Sequence, residues 1–264
     1  MQGANIKIFS KNVEKIRKAR KNSDLVIDIG NTRIKIAMFV NDKLVEVLSF
    51  SNQSAKEISG LIEKSGARRG ILSAVTHVEP ALKSLLSERM ELLEVSKATK
   101  LPITIGYNSP ETLGTDRIAN AVAAAKFYAK SDVLIIDFGT CIKYDLVNAD
   151  GIFCGGAIAP GVTMRFESMH RMTGKLPLIS DWESSNVSWP GKSTRESMIA
   201  GVMLGIEGEM AQYIERAAND YDSLMIISTG GDFSFFEKAY KNIIFAHPYL
   251  TLEGLHEILK FNID

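Results

Sequence analysis

The chain has 264 residues, 31 Lys and Arg balanced by 31 Asp and Glu, and 45% hydrophobic content. At roughly 100–200 residues per domain that is one large domain or two modest ones, and zero net charge speaks against a whole-molecule nucleic-acid binder, which needs an excess of basic side chains. Only Cys141 and Cys154 are present, which excludes a disulfide framework or Cys-rich zinc site and points to a reducing, cytoplasmic compartment, while the apolar runs at 36–40 and 121–125 fall far short of the ~18 residues of a membrane span.

Residues 1–23 hold seven Lys or Arg and one acid, a net +6 that the rest of the chain offsets. No apolar stretch follows them, so they are not a secretory signal. They read as a basic N-terminal extension, either a solvated tail or an electrostatic arm. From residue 24 the chain alternates strand and helix patterns. Residues 25–29 and 34–40 are β-branched or apolar on either side of Gly30-Asn31-Thr32, which predicts a hairpin. Helical spacing covers 55–64 and 79–94, with a strand at 70–75 between them. A strand is expected at 101–106 and an Ala-rich helix at 116–130. The pattern then restarts, with a strand at 133–138, a turn at Gly139-Thr140 and a returning strand at 142–147. A further strand ends in Gly230 and Gly231, where glycine allows close backbone approach to a ligand.

The restart is an internal repeat: Leu25-Val-Ile-Asp28-Ile-Gly30-Asn31-Thr32 and Leu134-Ile-Ile-Asp137-Phe-Gly139-Thr140 share a strand, an Asp, a Gly and a turn. Two such halves predict a two-lobed α/β protein, residues 24–130 and 131–264, with equivalent turns facing one cleft. A carboxylate at a strand end before a Gly turn, with backbone N–H groups left over, suits phosphate and its counter-ions. The two carboxylates would hold Mg²⁺ or a monovalent cation between phosphates, and Lys35 returns on the second strand of the first hairpin. Neither a Gly-x-x-x-x-Gly-Lys-Ser/Thr loop nor a Gly-x-Gly-x-x-Gly fingerprint precedes a helix.

Asp28-Ile-Gly-Asn-Thr-Arg-Ile-Lys35, Gly114-Thr-Asp-Arg117, Asp137-Phe-Gly-Thr140 and Gly155-Gly-Ala-Ile-Ala-Pro-Gly161, in this order and spacing, resemble the type III pantothenate kinase family over about residues 24–260. The resemblance implies duplicated ribonuclease-H-like lobes with mixed sheets flanked by helices and a nucleotide cleft, and phosphorylation of pantothenate from ATP with Mg²⁺ at the first step of coenzyme A synthesis. It implies that Asp28, Gly30, Asn31, Thr32 and Lys35 form the ATP phosphate turn, that Gly139 and Thr140 also approach ATP, and that Asp137 is the ligand of a monovalent cation, K⁺ or NH₄⁺. Tyr107, Gly114, Thr115, Asp116, Arg117 and Thr194 then correspond to pantothenate contacts, Asp116 to the general base, and the active form to a homodimer whose partner completes the pantothenate pocket. Residues 1–23 have no counterpart in this pattern.

The residues themselves speak to these roles. Thr115 and Asp116 open a helix, so capping is one reading. Arg117, a cation in a first helical turn, opposes the helix dipole, and an anionic acceptor would offset that, with Asp116 beside it to take a proton. Ser193-Thr194-Arg-Glu196 is also a capping-box pattern, so Thr194 reads as a cap or a substrate contact. Gly201, Gly205 and Gly208 form a small-residue stripe that predicts close approach by another helix, of the same chain or of a second subunit. A nucleotide-sensing regulator without catalysis, and a kinase of another small alcohol, are the alternatives.

Overall fold

The computed structural model describes residues 23–51, 60, 62, 65–240 and 243–263. The basic extension up to residue 22 and most of the expected helix at 55–64 lie outside the described residues. The chain forms two compact units: one of residues up to Pro102 with Ser109–Ala123 and Thr251–Asp264, the other of Ile103–Asn108 and Ala124–Leu250. Units interleaved in this way are not delimited by a single cut at residue 130.

The first unit is a five-stranded mixed sheet ordered β3-β2-β1-β4-β5. Its strands are β1 (Ser23–Ile29), β2 (Arg33–Val40), β3 (Lys43–Ser51), β4 (Arg69–Ala74) and β5 (Glu91–Glu94). β1 is buried along its whole length and runs antiparallel to β2 and parallel to β4, as expected of a central strand covered on both faces. Helices α1 (Pro80–Arg89) and α2 (Thr115–Phe127) follow. The helix expected at 79–94 stops at Arg89. Met90 is extended and buried, and residues 91–94 pair in parallel with β4, so strand pairing overrides the helical preference of the segment.

The second unit repeats this plan with β7 (Asp132–Phe138), β8 (Cys141–Val147), β9 (Ile152–Pro160), β10 (Leu224–Gly230) and β11 (Ile244–Ala246), in the order β11-β10-β7-β8-β9-β6. The extra edge strand β6 is only Thr104–Ile105, paired with β9, rather than the whole of 101–106. The correspondence extends to defects in the pleat. The β2–β3 register slips after Met38 and the β8–β9 register after Leu146, each three residues beyond a lysine, Lys35 or Lys143. Helices α3 (Val162–Met172), α4 (Thr194–Asp220) and the short α5 (Glu237–Tyr240) belong to this unit, and its core gathers Ile136, Phe138, Tyr144, Phe166, Ile206 and Phe236.

The C-terminal helix α6 (Leu250–Ile263) is part of the first unit. Its Gly254 lies so close to the backbone of Ala119 in α2 that a Cβ there would collide with the Ala119 carbonyl. Its His256 stacks on Phe39 at 3.9 Å and hydrogen-bonds Asp24, whose carboxylate also accepts two bonds of 2.9 Å from Arg69. That clamp ties the start of β1, the start of β4 and the last helix of the chain.

Candidate active site

In the first unit the candidate residues converge at the carboxyl end of β1. Asp28 is the penultimate residue of that strand and is 9% exposed. Its Oδ1 accepts a hydrogen bond of 3.2 Å from Ser73 Oγ, and Ser73 Oγ lies 3.0 Å from Thr115 Oγ1. Ser73 has a single hydroxyl proton, so with that proton given to Asp28 the Thr115 hydroxyl is the donor to Ser73. This chain of three side chains links the phosphate-turn candidate to the first turn of α2. Ser73 was not singled out by sequence; the signal was one hydroxyl on the otherwise apolar run of β4.

The first turn of α2 is shaped around Asp116. The helix is entered from Gly114, whose carbonyl accepts from Ile118 N, and Asp116 Oδ1 accepts 2.9 Å from Arg117 N. A Cβ at position 114 would stand 2.6 Å from that same Oδ1, so glycine is what leaves room for the carboxylate. Asp116 is half-buried, and Arg117 is 4% exposed. A cation so deeply held is paired or hydrogen-bonded.

The turn after β1 differs in part from the expectation of unused backbone donors. Gly30 N–H donates to Arg33 O at 3.0 Å and closes the hairpin, and Gly139 N–H donates to Cys141 O at 3.2 Å in the second unit. Those two amides are spent on the turns. Asn31 and Thr32 are exposed, and Lys35 is half-buried opposite Asp28 on β2.

In the second unit Asp137 holds the position equivalent to Asp28 and is 8% exposed. Lys143, directly opposite on β8, places its Nζ 2.7 Å from Asp137 Oδ2. Thr140 is exposed at the turn, which is backed by Gly161: a Cβ there would run into the carbonyls of Gly139 and Thr140. Gly230 has φ +91° and sits against the Phe138 carbonyl, so its glycine is dictated by packing at the end of β7; a Cβ at Gly231 beside it would meet nothing within 4 Å among the described residues. Tyr107 is half-buried edge-on to Phe153, and a Cβ at Gly155 would stand 3.8 Å from its ring.

Thr194 is the first residue of α4, and the cap is Ser193, which accepts from Glu196 N while Glu196 Oε2 accepts from Lys192 N at 2.6 Å. Thr194 therefore does not provide the cap; it lines a cavity of about 700 Å³ with Met169, Lys192, Ser193 and Met198. A Cβ placed at Gly201, Gly205 or Gly208 of α4 would meet nothing within 4 Å beyond the nearby backbone of the helix itself, among the described residues.

The profile of type III pantothenate kinases matches residues 24–216. The chain belongs to the type III pantothenate kinase family. Relatives of that name from Phocaeicola vulgatus and Christiangramia forsetii are each 41% identical over 241 residues, covering 90% of this chain and 98% of each relative. Type III pantothenate kinases are kinases, and the four motifs lie within the span shared with these relatives. Among solved structures, a ROK family glucokinase from Streptomyces griseus, in complex with glucose and AMPPNP, is similar at TM-score 0.51 and 12% identity, covering 91% of this chain and all of that one. The activator of a 2-hydroxyisocaproyl-CoA dehydratase from Clostridium difficile, with bound ADPNP, is similar at TM-score 0.51 and 12% identity, covering 90% of this chain and 96% of that one. These last two likenesses concern the fold alone, a mixed α/β architecture. Among the described residues no helix is long and apolar enough to cross a membrane.

Proposed function

We propose that this protein transfers the γ-phosphoryl group of ATP to the primary hydroxyl of pantothenate, giving phosphopantothenate for coenzyme A synthesis. The observation that carries this reading is the Asp28–Ser73–Thr115 chain, which sets the phosphate turn and the candidate base at one end of one unit. Phosphoryl transfer asks mainly for positioning and charge stabilisation. In the proposed reaction Asp116 accepts the hydroxyl proton as the pantothenate oxygen forms its bond to the γ-phosphorus, the bond to the β–γ bridging oxygen breaks, and ADP leaves. Asp116 is suited to this because its carboxylate is fixed over Gly114 with one oxygen already committed to the backbone. Gly114, Thr115, Arg117 and Tyr107 are assigned to the acceptor, with Arg117 supplying positive charge behind Asp116 toward the pantothenate carboxylate.

Asn31, Thr32 and Lys35 are assigned to the phosphates, together with Gly139, Thr140, Gly230 and Gly231. Asp28 offers the donor chemistry that Mg²⁺ prefers, a carboxylate oxygen, on a strand end next to a turn. The Mg²⁺ would neutralise charge on the transferring phosphates.

We also read the active form as a cytoplasmic homodimer. The unfilled glycine stripe of α4 adjoins Leu204 and the 81% exposed Trp189, an apolar hollow of about 540 Å³, and Thr194 is then a substrate contact completed by the partner. The test is to incubate the protein with ATP, Mg²⁺ and a panel of small alcohols including pantothenate, and to identify products by mass. Phosphopantothenate as the main product supports the proposal. Turnover with another alcohol alone, or nucleotide binding without turnover, overturns it.

A further inference from the structure

The second hairpin carries a feature that the monovalent-cation expectation for Asp137 does not accommodate. In an antiparallel pair, residues directly opposite share a face of the sheet, and Asp137 is directly opposite Lys143. Their side chains meet, Nζ to Oδ2 at 2.7 Å, and are 13% and 11% exposed. This is the short end of the range for a charge-assisted hydrogen bond. A protonated lysine offers three N–H donors and no lone pair, so beside this carboxylate it competes with a metal ion instead of helping to ligate one. The donor set at Asp137 therefore does not fit K⁺. A second unit charge against the same carboxylate would be repelled by the ammonium across a mostly buried site, where water screens weakly.

The lysine also matches what the ion would supply. An ammonium is a compact single positive charge, and this one is delivered from the neighbouring strand. We propose that Lys143 is the built-in monovalent cation of this enzyme, its ammonium standing at Asp137 in place of an added K⁺ or NH₄⁺ and supplying the same positive charge.

The turnover part of the test rests on the pantothenate kinase reading; the binding part does not. Full-length protein and its Lys143→Met variant are assayed with ATP, Mg²⁺ and pantothenate in chlorides of K⁺, Na⁺ and choline at equal ionic strength. Thallium(I), a spectroscopic stand-in for K⁺, is titrated into the same proteins with an ATP analogue and followed by its NMR signal. The wild type is expected to turn over equally in all three salts and to show no saturable thallium binding. The variant is expected to lose activity by about 10- to 100-fold in choline, the worth of a hydrogen bond to a charged group, to regain it in K⁺, and to bind thallium. Wild-type turnover that rises to a plateau with K⁺, or saturable thallium binding that K⁺ displaces, overturns the proposal. Should the variant fail to fold, the wild-type salt series and titration decide alone. Should the wild type phosphorylate no pantothenate in any salt, the functional reading fails and the thallium titration still judges this one.

Discussion

The two hairpins of this protein share a topology and differ in what their acidic strand ends do. Each opens a central strand that runs antiparallel to its hairpin partner and parallel to a later strand, each sets an Asp opposite a Lys, and each slips register three residues beyond that Lys. At Asp28 a side-chain hydrogen bond comes from Ser73 on the parallel strand and leads to Thr115 at the start of α2. At Asp137 the charge is met by Lys143. One backbone plan thus yields a carboxylate connected to the first turn of α2 and another paired with a lysine. The difference lies in where these polar partners sit: Ser73 on the parallel strand β4 for Asp28, Lys143 on the hairpin's own second strand for Asp137.

Substitutions can break this comparison. The largest expected effect is Asp116→Asn, which should lower kcat by about 100-fold or more, as for loss of a general base, with nucleotide binding intact by equilibrium titration. Next is the salt-dependent loss from Lys143→Met described above, which separates the second hairpin from the first. Asp24→Asn should destabilise the first unit by about 3 kcal/mol in urea unfolding, the low end for breaking a buried pair because Arg69 is 30% exposed. Burial pushes the Asp24 carboxyl up, but the His256 hydrogen bond, then the hydrogen bond and charge of Arg69, outweigh it and leave it below the ordinary aspartate value of 3.8. The folded state therefore favours the charged form. Its contribution to stability is fully present above that ordinary value and is lost as pH falls through the lowered one. Urea midpoints measured down a pH series should show that decline in the wild type and not in Asp24→Asn. The smallest effect is Ser73→Ala, expected to cost about 1 kcal/mol and to raise the KM for ATP or pantothenate more than it changes the folding midpoint.

Much of this was legible in the sequence. The repeated strand, Asp and Gly turn marked both hairpins, because one such strand end is ordinary turn chemistry and it is the second copy at an equivalent place that sets it apart. Edge strands were less legible. β5 follows α1 after a single residue and reads as helix until β4 is there to pair with it, and residues 101–106 contribute only two residues to the second sheet. The return of α6 to the first unit depends on Gly254 against Ala119 and on His256 against Asp24, contacts across most of the chain length that no local pattern encodes. In the site, motif residues were legible while their neighbours were not. Ser73 and Lys143 are ordinary strand residues until pairing sets them beside Asp28 and Asp137.

The central claim is that Asp116 mediates transfer of the γ-phosphoryl group to pantothenate. It is tested most directly by following isotope from the γ-phosphate of ATP in one turnover, with wild type and Asp116→Asn side by side. The label should appear in phosphopantothenate with the wild type and be almost absent with the variant over the same interval. Label that never reaches pantothenate, or reaches it equally fast in both proteins, would contradict the account.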